Sequence, residues 1–97
     1  MATPESSEMR IVRAQLRDFI MQNFLYGTPG VQIDDETSLI GEGILDETGI
    51  LELVLFVEET YGLTVDEGEL GPANFDTITS IATFVVAHLS PDLADEE

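Results

Sequence analysis

The stretch Gly43-Ile44-Leu45-Asp46-Glu47-Thr48-Gly49-Ile50-Leu51-Glu52-Leu53 leads from a glycine-marked loop into a segment whose apolar residues have helical spacing. A second helix is predicted here from about Asp46 to Tyr61, and Gly62 ends it. The apolar residues expected on its buried face are Ile50, Leu53, Val54, Val57 and Tyr61. The residues expected on its opposite, outer face are Thr48, Glu52, Leu55, Phe56 and Glu59. This one-sided pattern is typical of a helix packed in a small bundle.

Upstream of this stretch, a first helix is predicted over residues 8–25. Ser7 can cap it, and Gly27 and Pro29-Gly30 can stop it. The apolar stripe of this helix is formed by Met9, Val12, Leu16, Phe19, Ile20 and Phe24. Residues 28–45 then form a connection so long that it should be either ordered by its apolar side chains or functional. These side chains are Val31, Ile33, Leu39, Ile40, Ile44 and Leu45.

Downstream, a last helix is predicted to extend to about His88 after a cap at Asp76 or Thr77. Its buried stripe is Ile78, Ile81, Ala82, Val85 and Leu89. One short helical turn is predicted over residues 72–75, and no segment has the alternating pattern of a strand. We therefore predict an all-α fold, a small three-to-four-helix bundle with a long ordered loop between helices one and two. Residues 1–7 are predicted to be a flexible leader, 8–89 the domain and 90–97 an acidic tail.

The charge of the chain limits its partners. Twenty Asp and Glu residues face three Lys and Arg residues, which gives a net charge of −17. Such a surface repels nucleic acid and anionic lipid, and it steers the protein towards basic patches on partners. It also repels itself, so we expect a monomer whose stability rises with salt. The cations Arg10, Arg13 and Arg17 share one flank of the first helix and are expected to pair with Asp18 or with the acidic loops.

Several kinds of chemistry lack the residues that they need. The sequence has no cysteine and only one histidine, His88, so neither a zinc site nor a nucleophile–base pair is expected. The acidic clusters at 34–36 and 66–69 could hold Mg²⁺ or Ca²⁺ loosely, but neither has the ligand spacing of a calcium loop, so we expect diffuse counter-ion binding. No apolar run approaches the ~20 residues of a membrane span, and no secretory signal is recognisable. We expect no enzymatic activity, no catalytic residue, no metal and a cytoplasmic location.

Four segments, in this order along the chain, resemble acyl carrier proteins. They are Asp34-Asp35-Glu36-Thr37-Ser38-Leu39, the stretch that opens the second helix, Glu58-Glu59-Thr60-Tyr61-Gly62-Leu63, and Asn74-Phe75-Asp76-Thr77-Ile78. The resemblance covers roughly residues 8–89. It implies a helical domain that carries acyl intermediates as thioesters on a 4′-phosphopantetheine arm in fatty acid, polyketide or related synthesis. The partners it implies are a phosphopantetheinyl transferase and acyl-processing enzymes with basic docking patches.

Position 47 departs from that family. The resemblance places the attachment serine directly after Asp46, but this chain has Glu47 there. A carboxylate cannot form the phosphodiester of the arm, so we expect no cofactor on this chain, whether through natural loss or through a Ser-to-Glu change. Glu47 can simply stabilise the helix by roughly 0.3–1 kcal/mol, because a negative side chain is favourable at the positive end of a helix. Alternatively, its carboxylate imitates the phosphate of the arm. Thr48 is a poorer attachment point because it lies one residue later and about 100° away around the helix. Ser38 and Ser80 lie in the wrong sequence contexts.

The outer face of the second helix is the predicted docking surface. Its members are Asp46, Thr48, Glu52, Leu55, Phe56 and Glu59. By resemblance, its acids correspond to those that meet Arg and Lys patches on partner enzymes, and Leu55 corresponds to an exposed apolar contact among them. An apolar centre within a charged rim is typical of a small interaction hot spot. The alternative function is a non-carrying acidic interaction or regulatory module that docks a basic partner enzyme.

Overall fold

Helices form all the regular secondary structure of the described residues, which are 7–27 and 33–89 of a computed structural model. The α-helices are α1 (Ser7–Phe24), α2 (Glu47–Tyr61), α3 (Pro72–Phe75) and α4 (Ile78–His88), and a 3-10 turn (Glu67–Glu69) lies between α2 and α3. The predicted all-α bundle is therefore confirmed. Residues 1–6 and 90–97, with most of the predicted leader and the whole acidic tail, lie outside the described residues, as do Pro29-Gly30 and Val31.

The helix ends follow the local sequence signals. Gly62 ends α2 with φ +69°, a left-handed conformation that glycine adopts without a Cβ clash, and its N–H donates to the Glu58 carbonyl at 2.9 Å. Gly27 likewise follows α1 with φ +86°. Ser7, predicted as a cap, is instead the first residue of α1, a one-residue difference that is usual at frayed helix ends.

The hydrophobic core lies between α1, α2 and α4, and α1 packs directly against α4. Side chains of the long loop complete it, since Leu39 and Leu45 are buried together with Phe75 of α3. Burying a leucine or phenylalanine contributes roughly 1.5–3 kcal/mol, so these contacts order a loop that has no regular secondary structure. The buried residues of the helices are Val12, Leu16, Ile20, Leu53, Val54, Val57, Ile78, Ile81, Ala82, Phe84 and Val85.

Asp76 fastens the long loop to the start of α4. Its carboxylate accepts hydrogen bonds from the Ser38 hydroxyl at 2.8 Å and from the Ile40 N–H at 2.9 Å, and its carbonyl accepts from the Leu39 N–H at 2.7 Å. The cap of α4 is therefore Thr77, whose hydroxyl accepts from the Ser80 N–H at 2.9 Å. Of the two predicted caps, Asp76 is used for the loop and Thr77 for the helix.

Two arginines of α1 bind the first part of the same loop. Arg13 Nε lies 3.2 Å from Asp35 Oδ2, and Arg17 Nη2 donates to the same carboxylate. Arg17 Nη1 also donates to the Ile33 carbonyl at 2.6 Å. The expectation that the arginines pair with an acidic loop is confirmed for Arg13 and Arg17, and these contacts fix the loop that leads into α2.

Candidate functional site

The start of α2 presents Glu47 to solvent. Asp46 is the N-cap, with φ −107°, and its side chain accepts a hydrogen bond from the Gly49 N–H at 2.8 Å. Leu45 immediately before it is buried, which anchors the backbone at this point. Glu47 is the first helical residue, and its side chain is exposed. Residue 47 therefore lies in the first turn of α2, as the sequence predicts, and its role as an attachment position stays a prediction.

A close contact between α1 and α2 leaves little room for a side chain at residue 49. A Cβ added there would lie 3.0 Å from Cε1 of Phe24 and 3.3 Å from Asp46 Oδ1. The phenyl ring of Phe24 therefore rests almost on the backbone of the first turn of α2. This contact joins the end of α1 to the beginning of α2 and holds the helix start that carries Glu47.

The outer face of α2 exposes two leucines among carboxylates. Leu51 and Leu55 are 54% and 55% exposed, and Thr48, Glu52 and Glu59 are exposed around them. Leu55 was predicted, whereas Leu51 was missed, although its spacing of four residues from Leu55 places both on one helix face. Within the described part of the chain, no hydrogen bond or ion pair occupies the side chains of Glu47, Glu52 and Glu59.

Phe56 corrects the predicted docking surface. It was expected to be an exposed member of the outer face, but its side chain is half-buried against α1. Its ring stacks on that of Phe19 with centroids 4.3 Å apart, and it meets the Tyr61 ring edge-on at 6.2 Å. The physical reason is the helical step of about 100° from Leu55 to Phe56, which turns the phenyl ring towards α1. Phe56 supports the helix pair and does not belong to the exposed surface.

A cleft lies beside the start of α2. It has a volume of about 360 Å³ and is lined by Glu47, Thr48, Ile50, Leu51 and Leu70. Leu70 follows the 3-10 turn, and no sequence pattern indicates that it approaches α2. The cleft thus combines apolar walls with one exposed carboxylate.

The hydroxyls of Ser38 and Ser80 serve the fold. Ser38 Oγ donates to Asp76, and Ser80 Oγ hydrogen-bonds with Thr77. Thr48 is exposed on the outer face of α2, one residue beyond the attachment position implied by the resemblance. Residue 47, the attachment position that the resemblance implies, has a carboxylate, which does not fit the phosphodiester of a phosphopantetheine arm.

The acidic clusters noted in the sequence do not bring their carboxylates together around one possible ion. In the cluster 34–36, Asp34 accepts from the Glu36 N–H, Asp35 pairs with arginines, and Glu36 accepts from the Thr79 hydroxyl. Across residues 7–27 and 33–89, no group of three or more His, Cys, Asp or Glu side chains could hold a metal ion. None of the helices described has the length and apolar character needed to cross a bilayer.

Comparison with known proteins identifies no family for this chain. The amino-acid sequence matches no protein-family model, and no curated protein is similar enough to it to indicate common descent.

Proposed function

We propose that this protein is an acyl carrier protein-like domain that has no attachment serine and acts without a phosphopantetheine arm, docking basic partner enzymes through the outer face of α2. The observation that carries the proposal is the exposed position of Glu47 at the start of α2, directly after the N-cap Asp46. By resemblance, a carrier of acyl groups in fatty acid, polyketide or related synthesis would have its serine at this place.

The chemistry of residue 47 explains why such a domain would remain uncharged. A serine hydroxyl can attack the pyrophosphate of coenzyme A once a transferase activates it. The carboxylate of Glu47 would instead form an acyl phosphate, which hydrolyses readily. A negative group at this place is compatible with the positive end of the helix dipole, so Glu47 does not disturb the start of α2.

The docking part of the proposal rests on the contrast between the leucines and their surroundings. Leu51 and Leu55 offer exposed apolar area, while Glu52 and Glu59 are exposed carboxylates. Opposite charge on a partner would accelerate the encounter, and the leucines would supply contact area after desolvation. The proposal includes a monomeric state, because a net charge of −17 opposes self-association, and a cytoplasmic location.

The test of the attachment position is the intact mass after incubation with coenzyme A and a broad-specificity phosphopantetheinyl transferase. We expect no added mass on the protein as it stands and one added arm on the Glu47→Ser variant. A folded Glu47→Ser variant that stays unlabelled would favour the alternative, an acidic interaction module without carrier ancestry. Labelling of the unchanged chain would show that the attachment point lies elsewhere.

The same transferase can test the docking face. In the Glu47→Ser background, Glu52→Lys and Leu55→Ala should each lower kcat/KM for labelling by about fivefold or more, as expected when a contact worth about 1 kcal/mol is lost. Asp18→Lys on the exposed side of α1 matches the charge change of Glu52→Lys and should have a smaller effect. Equal rates for all these variants, with unchanged helix content by circular dichroism, would contradict docking through α2.

A further inference from the structure

We infer that a second cleft, between the end of α1 and the long loop, binds a small organic cation in which a primary ammonium group is joined to an aromatic or alkyl body. This loop cleft has a volume of about 600 Å³, which is within the range of small-molecule sites in proteins. Such a site is independent of docking through α2. The described residues that form most of its lining are Phe24, Leu25, Ile33, Thr37, Glu42 and Ile44.

The walls of the loop cleft are mostly apolar and come from two segments. Phe24 is the last residue of α1 and Leu25 follows it, whereas Ile33 and Ile44 belong to the loop. Leu25 and Ile33 are buried, while Phe24 and Ile44 are partly exposed. An aromatic ring beside aliphatic side chains gives a surface against which the body of a ligand can be desolvated.

The hydrogen-bond donors of the loop around this cleft are already used inside the loop. The backbone N–H groups that donate to carbonyl groups of the same loop are those of Thr37, Glu42, Gly43 and Ile44. The Thr37 hydroxyl donates to Asp34 Oδ1 at 3.1 Å and accepts from the Asp34 N–H at 2.9 Å. A carboxylate or phosphate on a ligand would therefore gain no hydrogen bond from these groups.

Glu42 supplies the polar group to which a ligand can bind. Its carboxylate makes no hydrogen bond or ion pair among the described residues. Arg13 and Arg17 bind Asp35 instead, and neither is among the described residues that line the loop cleft. A free carboxylate beside apolar walls accepts hydrogen bonds and attracts positive charge, so an ammonium group fits here. The net charge of −17 further favours a cation and opposes a ligand that ends in a carboxylate.

The loop cleft is formed before any ligand enters. The Phe24 ring lies close to the backbone of Gly49 and meets the Phe19 ring edge-on, with centroids 5.9 Å apart. On the loop side, Arg17 Nη1 donates to the Ile33 carbonyl at 2.6 Å. Because these contacts hold both walls, little free energy is lost in ordering them when a ligand binds.

The experiment uses tryptamine as the probe, an indole ring on a short chain that ends in a primary ammonium. Tryptophol has the same ring with a neutral hydroxyl, and indolepropionate has it with a carboxylate. Binding to the full chain is followed by backbone amide shifts as each compound is added. We expect tryptamine to shift the amides of Gly43 and Ile44 and to bind at least about fivefold more tightly than tryptophol, because it alone can pair with Glu42. Indolepropionate should bind less tightly than tryptophol.

Variants locate the binding. Glu42→Gln should weaken tryptamine binding by about threefold or more, the loss expected for one partly exposed charge pair. Glu42→Lys reverses the charge within the cleft and should lower the ratio of tryptamine affinity to indolepropionate affinity by about tenfold or more. Glu59→Gln, the matched control, removes one exposed charge from the far end of α2 and should change tryptamine affinity by less than about twofold.

The apolar wall has its own variant. Ile44→Ala should weaken tryptamine and tryptophol by a similar factor, about threefold, because both compounds cover this side chain. Since Glu42 is exposed, its variants keep the test valid even if Ile44→Ala proves unstable.

Several results would exclude a cation site in the loop cleft. Equal weakening by Glu42→Gln and Glu59→Gln would show a diffuse attraction to the acidic surface and overturn the inference. Shifts confined to the amides of Glu47 and Leu70 would assign tryptamine to the other cleft and overturn it as well. So would the absence of tryptamine binding, or indolepropionate that binds as tightly as tryptamine.

Discussion

The acidic residues of the loop after α1 and those on the outer face of α2 are in opposite situations. In the loop, Asp35 binds two arginines of α1, and Glu36 accepts a hydrogen bond from the Thr79 hydroxyl at 2.6 Å. Asp76 at the other end of the chain holds the same loop through Ser38. On α2, by contrast, several exposed acids make no hydrogen bond or ion pair within the described residues. They are Glu47, Glu52 and Glu59.

The difference shows that acidic residues can have partners inside the fold in one region and none among the described residues in another. The loop lies against Arg13 and Arg17 and against the start of α4, where donors are available. The outer face of α2 is exposed among the described residues, and it carries the exposed leucines between its acids. Carboxylates that already have partners inside the fold contribute to stability, whereas those of α2 remain available to a partner protein.

The largest difference in stability between the two regions is expected when Asp76 and Glu52 are each replaced. Asp76→Ala leaves the Ile40 N–H and the Ser38 hydroxyl without their charged acceptor, which should lower the free energy of unfolding by about 2–3 kcal/mol. Glu52→Ala, on the exposed face, should change it by less than about 0.5 kcal/mol. Urea unfolding followed by circular dichroism measures both.

A smaller difference in stability is expected between substitutions of Asp35 and Glu59. Asp35→Asn removes the charge that Arg13 and Arg17 share, so stability should fall by about 1 kcal/mol, since the pairs are partly exposed. Glu59→Gln removes an unpaired charge from a protein of −17, and we expect no loss or a slight gain.

The salt dependence of the melting temperature tests the expected effect of Glu59 further. Screening should raise the melting temperature of the unchanged protein because it weakens the overall repulsion. In Glu59→Gln the rise should be slightly smaller, since one repelling charge is gone. A melting temperature that stays constant from low to moderate ionic strength would contradict the view that the acids of α2 repel one another without compensation.

The sequence predicts those features of the fold that depend on neighbours along the chain. The bounds of α2 follow from Asp46 and Gly62, and its buried face follows from the spacing of its apolar residues. The loop anchors Leu39 and Leu45 are predicted as well, because apolar residues in a long connection must be buried somewhere. The position of Glu47 at the start of α2 belongs to this group.

The features that the sequence does not predict depend on contacts between distant segments. Phe56 is half-buried against Phe19 of α1, and Leu70, which follows the 3-10 turn, lines a cleft together with residues of α2. The close approach of Phe24 to Gly49 is also a matter of how two helices cross. Helical periodicity assigns a direction to each side chain, but it does not say which neighbour lies in that direction.

The smallest effect on stability is expected at the end of α2. There a rise in pH creates a negative charge on Tyr61, whereas the substitutions above remove a negative charge. Tyr61 is half-buried and donates a hydrogen bond to Gln15 Oε1 at 2.7 Å. Burial raises the pKa of Tyr61 from 10.0 to about 12. Because this pKa is higher in the folded than in the unfolded chain, the stability linked to the neutral phenol is complete below about pH 10 and is lost as the pH rises through about 12.

Stability measured at successive alkaline pH values should therefore fall in this window, and the fall should be smaller in Tyr61→Phe. Solvent reaches part of the ring, so the difference between the two proteins should be less than the effects at Asp76 and Asp35. The ultraviolet absorbance of the phenolate, taken as the difference between the two proteins, reports the ionisation of Tyr61 itself. Ionisation at the pH of a free tyrosine would show that the contact between α1 and α2 is looser than the stacked rings of Phe19 and Phe56 indicate.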